Sequence, residues 1–144
     1  MTMARILESD EEIAEVVRRS QTIAVLGIKT EAQRPQPAIT VPMYLQSVGL
    51  TVIPVPVYYP EVTEILGQKV YRTVSAIRED LDIVDVFRRP ADIDQHLDDL
   101  IAKKPKVVWF QLGIRNDAAA AKLVSAGIDV VQDKCLLVEH RRFA

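Results

Sequence analysis

The chain has 144 residues, of which 49% are apolar and 26% charged, with 20 acidic and 18 basic side chains and a formal net charge of −2. That length suits one domain spanning residues 1–144, and the near balance of charge argues against the basic surface on which nonspecific nucleic-acid binding depends. No apolar run is long enough to cross a bilayer, the leading Met1–Asp10 stretch lacks the apolar core of a secretion signal, and one cysteine with two histidines is a thin supply for a disulfide or metal site, so a cytoplasmic protein without metal, membrane or nucleic-acid partner is expected.

Ser9-Asp10-Glu11-Glu12 has the spacing of a capping box, and Ile13, Val16 and Val17 follow at helical intervals, which predicts a short first helix ending at Ser20. Thr22–Leu26 reads as a continuous apolar run up to Gly27, as in a strand covered on both faces of a parallel sheet. The polar stretch Lys29–Pro37, with Pro35 and Pro37, is predicted as loop. A helix follows, with Ile39, Met43 and Leu45 among its apolar positions, Pro42 in its first turn or two and Gly49 beyond its end. Thr51–Val57 is the second strand, made irregular by Pro54 and Pro56.

Glu61–Tyr71 is predicted as a connection turning at Gly67, Val74–Asp80 as a short helix and Ile83–Phe87 as a strand ended by Pro90. Asp92 with Gln95 reads as the cap of a helix over Ile93–Lys103. Val107–Gln111 is a buried strand, Gly113 turns the chain, and Asn116 caps an alanine-rich helix that stops at Gly127. Ile128–Val131 and Leu136–Val138 are the last strands. Strands alternating with helices predict an α/β fold, a doubly wound, mostly parallel sheet with helices on both faces.

In such a sheet the ligand cleft lies at the carboxyl ends of the strands. Four segments are placed there: Gly27-Ile28-Lys29-Thr30, Pro56-Val57-Tyr58-Tyr59, Phe87-Arg88-Arg89-Pro90 and Gln111-Leu112-Gly113. Gly27 allows a close backbone approach, Lys29, Arg34, Arg88 and Arg89 supply cations, and Phe87, Tyr58 and Tyr59 offer flat walls for a base. Gln111 can donate and accept at the edge of a ring or amide. The set suits a nucleotide with several phosphates. Gly27 stands alone rather than in a three-glycine fingerprint, and no acid closes the second strand, which disfavours a nicotinamide or flavin dinucleotide; no Gly-Lys-Ser or Gly-Lys-Thr phosphate loop occurs.

The segments Ile23–Gly27, Tyr44–Gly49, Val52–Val55, Val84-Asp85-Val86-Phe87-Arg88-Arg89-Pro90, Val108-Trp109-Phe110-Gln111-Leu112-Gly113 and Asp133–His140 resemble those of stand-alone CoA-binding domain proteins. Their fold is similar to that of the amino-terminal domain of the succinyl-CoA synthetase alpha subunit. The resemblance implies a Rossmann-like fold and binding of coenzyme A or an acyl-CoA, with the pyrophosphate near Gly27, Ile28 and Lys29, and Phe87, Arg88 and the Gln111–Gly113 turn around the ligand. It departs from that family at Pro56-Val57-Tyr58-Tyr59-Pro60, where Asn-Pro is usual.

No pair of residues has the spacing of an acid–base or metal constellation, so no catalytic residue is assigned and binding without chemistry is the favoured reading. Two others stay open. One is an enzyme acting on a CoA thioester or nucleotide through Cys135 or His140; the other is an interaction domain without ligand. His96 is expected to face solvent, and Asp85, inside an apolar strand, is either a structural acceptor or a cleft carboxylate. Beyond the small-molecule ligand, a homodimer or an acyl-transfer enzyme is the partner considered.

Overall fold

A computed structural model of the chain describes residues 3–144; Met1 and Thr2, the first positions of the stretch read for a secretion signal, lie outside the described residues. In chain order the elements are α1 (Asp10–Arg19), β1 (Thr22–Leu26), α2 (Pro37–Ser47), β2 (Thr51–Val55), β3 (Glu64–Ile65), β4 (Gln68–Lys69), β5 (Ile83–Val86), α3 (Leu97–Lys103), β6 (Val107–Phe110), α4 (Asp117–Ser125), β7 (Asp129–Val131) and α5 (Leu136–Phe143). The predicted capping box forms: Ser9 Oγ accepts from the Glu12 amide at 3.2 Å, and Glu12 Oε1 accepts from the Ser9 amide at 3.1 Å. Asn116 Oδ1 caps α4 in the same way, accepting from the Ala119 amide at 3.0 Å.

The five main strands form one parallel sheet in the order β2-β1-β5-β6-β7. Alternate residues feed two cores. Ala24, Leu26, Val84, Val86, Val108 and Phe110 pack with α3 and α4 on one face, whereas Ile23, Val25, Ile83, Val107 and Trp109 pack with α1, α2 and α5 on the other. Covering both faces is why these strands read as continuous apolar runs. From β1 the chain moves outward to β2, returns beside β1 as β5, and then winds the other way to β6 and β7. The β1–β5 boundary is therefore the switch point at which a doubly wound sheet opens a crevice. Among the described residues no helix is long and apolar enough to cross a membrane.

The prolines of the second strand are accommodated by position. β2 is an edge strand that ends at Val55, before Pro56. Pro54 directs its carbonyl away from β1, accepting from the Tyr71 amide at 3.0 Å, so its missing N–H falls outside the β1 ladder. The connection beyond it folds into the β3–β4 hairpin, turned by Leu66 and Gly67 at φ of 53° and 73°.

Three predicted elements are corrected. Val74–Asp80 is not a helix; it is a series of turns held by α3, with Asp99 accepting from the Val74 and Ser75 amides at 2.7 and 2.9 Å and Lys103 Nζ donating to the Ile77 carbonyl at 2.6 Å. The helix predicted from Ile93 begins at Leu97, after two short 3₁₀ turns, because Asp92 turns back to pair with Arg89 instead of capping. Leu136–Val138 is the start of α5, not a strand. The free side of β7 is already occupied by the chain at Ile6, whose neighbour Leu7 donates to the Val130 carbonyl at 2.8 Å. Leu136 and Glu139 are instead buried at helical spacing.

Asp85 lies at the centre of this sheet, in register with Val25 and Trp109, fully buried, with neither carboxylate oxygen hydrogen-bonded. It is neither the structural acceptor nor the cleft carboxylate that the sequence allowed. Burial pushes its carboxyl well above the ordinary carboxylate range. The folded chain thus keeps this proton at pH values where the unfolded chain, with a carboxyl near about 4, has released it. The corresponding stability is fully present below the unfolded value and is lost as pH rises through the folded one. Asp85→Asn cannot ionise, so its urea midpoint should gain on that of the wild type as the pH is raised from 5 to 8; a constant difference would show that Asp85 does not titrate between the two states.

Candidate ligand-binding cleft

The carboxyl ends of β1, β5 and β6 open into a cleft of about 510 Å³. At its base β1 and β5 come close together. The Phe87 amide donates to the Leu26 carbonyl at 2.9 Å, and Gly27 turns away with φ of +87°. A Cβ at position 27 would stand 2.4 Å from the Phe87 carbonyl oxygen, so no side chain fits there. The next residue, Ile28, sends its side chain into the core rather than the cleft.

Lys29 then reaches the cleft wall. Its position depends on Pro42, which sits inside α2, in its second turn as expected. Pro42 has no N–H to give to the Ala38 carbonyl one helical turn back, and that carbonyl instead accepts from the Lys29 amide at 3.1 Å. The Lys29 ammonium is hydrogen-bonded to Gln36 Oε1. Gln36, Pro37 and Ala38, the start of α2, line the cleft beside it, with Pro37 at the first helical position. Its preset φ and absent N–H suit that position. A helix start carries partial positive charge. Of the first amides here, only that of Ala38 is left without a backbone acceptor among the described residues: Pro37 has none to give, and Gln36 and Ile39 donate to the Gln33 and Gln36 carbonyls at 3.0 Å. Pro37, expected as the last residue of the loop, is the first residue of this helix.

The two arginines after β5 have different fates. Arg88 is half-buried in the wall: its Nε donates to His96 Nε2 at 3.1 Å, Nη1 lies 3.4 Å from the Tyr58 hydroxyl, and the guanidinium stacks 5.7 Å from the Tyr58 ring centre. Arg89 stands at the rim with its side chain 83% exposed, paired with Asp92 at 2.8 Å. His96 is thus half-buried against Arg88 rather than facing solvent.

Phe87, Leu112, Gly113 and Ile114 complete the apolar part of the wall. Gln111 is buried, and its Oε1 is already committed, accepting from the Leu136 amide at 3.0 Å. It anchors the start of α5 and so holds Cys135, a half-buried thiol, in the cleft lining. The Gly113 amide donates to Asp133 Oδ1 at 2.6 Å, which fixes the turn after β6. Arg34, Pro56 and Tyr58 do not line this cleft: Arg34 is exposed, Pro56 is buried beyond the end of β2, and Tyr58 touches the cleft only through Arg88. His140 is held elsewhere, its Nδ1 2.8 Å from the Tyr44 hydroxyl. Neighbouring Glu139 pairs with Arg142 at 3.0 Å.

A parallel sheet wound both ways from a switch-point cleft, which Lys29, Arg88 and a helix start line, defines a Rossmann-like α/β domain. The profile of the CoA binding domain family matches residues 21–141, and the chain belongs to that family. It is 33% identical over 132 residues to the uncharacterized protein YneT of Bacillus subtilis (strain 168), spanning 92% of this chain and 94% of that one. Among solved structures it is similar to cell-free ID.343 from Thermus thermophilus, at 37% identity and a TM-score of 0.85 over 95% of this chain and 100% of that one. A hypothetical protein from Pyrococcus horikoshii OT3 is likewise similar, at 33% identity and a TM-score of 0.83 over 99% of each chain.

Gln111 gives this subsection its test. Gln111→Leu leaves the Leu136 amide without its acceptor, and chemical denaturation should register a loss of about 1–3 kcal/mol. Unchanged stability would mean that the α5 start does not depend on Gln111.

Proposed function

We propose that this chain is a cytoplasmic binding protein for coenzyme A or an acyl-CoA, which it holds without transforming. The observation that carries the reading is the Arg88 guanidinium, half-buried and braced in the same wall as Lys29 and the amino end of α2. Coenzyme A brings a diphosphate and a ribose phosphate, together roughly four negative charges near neutral pH. A guanidinium pairs with phosphate through two parallel hydrogen bonds, which a lysine cannot do. The start of α2 adds the Ala38 amide and its dipole for the diphosphate, and Lys29 a further charge.

The remaining residues have lesser roles in this reading. Gly27 and Ile28 shape the turn beneath the phosphates. Phe87, Leu112 and Ile114 give apolar surface to the adenine or the pantetheine arm. Arg89 and Arg34 add exposed charge that steers the anion, and Gln111 and Gly113 set the far wall. Tyr58 packs on Arg88, and Pro56 orients the segment that carries it.

Titration calorimetry tests the assignment. Arg88→Ala should weaken CoA binding by about 1.5–3 kcal/mol, the scale of hydrogen bonds to a charged group. Arg89→Ala should cost less than about 1 kcal/mol, as for an exposed ion-pair partner. CoA at a hundredfold over its dissociation constant should also add about 2.7 kcal/mol of stability. The absence of any thermal shift with CoA would overturn the reading.

A further inference from the structure

Arginine side chains rarely keep one geometry unless something holds them. Arg88 is held through its Nε by the ring of His96, which lies in the second 3₁₀ turn after Pro90. Two donors converge on the same ring nitrogen: Arg88 Nε at 3.1 Å and Gln95 Nε2 at 3.3 Å from His96 Nε2. A nitrogen facing two N–H groups serves them only as an acceptor, so the ring is neutral with its proton on Nδ1. Among the described residues Nη2 of the guanidinium has no hydrogen-bond partner, and Nη1 lies 3.4 Å from the Tyr58 hydroxyl.

We infer that His96 is a positioning residue for Arg88: neutral, it accepts the Nε–H and presents the fork to a phosphate, and protonated, it releases the fork and lowers affinity for CoA. This rests on the reading of the cleft as a CoA site. The charged groups around the ring pull in opposite directions. Burial and the Arg88 charge hold the imidazole below its ordinary range, while Asp99 and Asp92 act the other way. Both carboxylates have other partners, Asp99 the Val74 and Ser75 amides and Asp92 the Arg89 side chain. Protonation therefore removes the acceptor and sets two cations side by side, with no carboxylate reserved to offset them.

The test is calorimetry of CoA with the full chain at pH 8 and pH 5.5, for the wild type, His96→Leu and His96→Gln. His96→Leu should bind about five- to tenfold more weakly at pH 8, the scale of one lost bracing hydrogen bond. His96→Gln, whose amide oxygen can accept from Arg88, should recover most of that loss. The ribose phosphate of CoA also titrates in this interval, so the ratio of wild type to His96→Gln isolates the imidazole. Wild-type affinity should fall further than that of His96→Gln, by at most about the five- to tenfold that the brace supplies. Equal pH profiles, or a His96→Leu protein that binds like the wild type, would overturn the inference. Ring-nitrogen NMR separates it from the function itself. Without ligand, an unprotonated Nε2 and a titration midpoint that rises in Arg88→Gln would support the brace even if CoA did not bind. A protonated Nε2 at neutral pH, or an unmoved midpoint, would refute it.

Discussion

The close approach of β1 and β5 at their carboxyl ends governs the rest of the molecule. These two strands are parallel neighbours whose continuations leave in opposite directions, and the Phe87 carbonyl occupies the space that any side chain at position 27 would need. Gly27 satisfies both demands, the left-handed turn and the missing Cβ. With the strand ends locked, Lys29 and Arg88 both reach the cleft at the switch point. The glycine is thus required by the packing of two strands before any ligand is considered.

The cleft walls are held by backbone and side-chain hydrogen bonds that leave Arg88 without an acidic partner among the described residues. Pro42 removes one helical hydrogen bond from α2, and the Ala38 carbonyl so released captures the Lys29 amide, tying the loop after β1 to the helix start. Gln111 ties the end of β6 to the start of α5, and Asp133 fixes the Gly113 turn. Arg88 is braced by a neutral imidazole and a phenol, not by a carboxylate, whereas Arg89 has already paired with Asp92. An arginine without an acidic partner retains its charge for an incoming anion, which is the physical distinction between the two.

Much of the architecture was legible because it rests on local pattern. Thr22–Leu26, Ile83–Phe87 and Val107–Gln111 read as strands, the latter two ending one residue later than in the structure, since both faces of the sheet are covered. Ser9 and Asn116 marked their helices through cap chemistry alone. The failures were tertiary. Leu136–Val138 is too short a run to separate strand from helix, and what decides it is the chain at Ile6 filling the β7 edge, some 130 residues away in sequence. Val74–Asp80 is shaped by Asp99 and Lys103 from α3, which no local window contains. In the cleft, the strand ends placed Lys29, Phe87, Arg88, Arg89, Gln111 and Gly113 together. Which arginine turns inward was not readable, because it depends on His96 folding back across two 3₁₀ turns. Pro37, read as the end of the loop, opens the helix whose start forms part of the wall.

The most direct measurement is a crystal structure of the chain grown with coenzyme A. The account predicts phosphate oxygens within hydrogen-bonding distance of the Arg88 guanidinium, with the diphosphate against Lys29 and the first turn of α2. A ligand seated at another edge of the sheet, or one lying in the cleft with its phosphates turned away from Arg88 and Lys29, would contradict it.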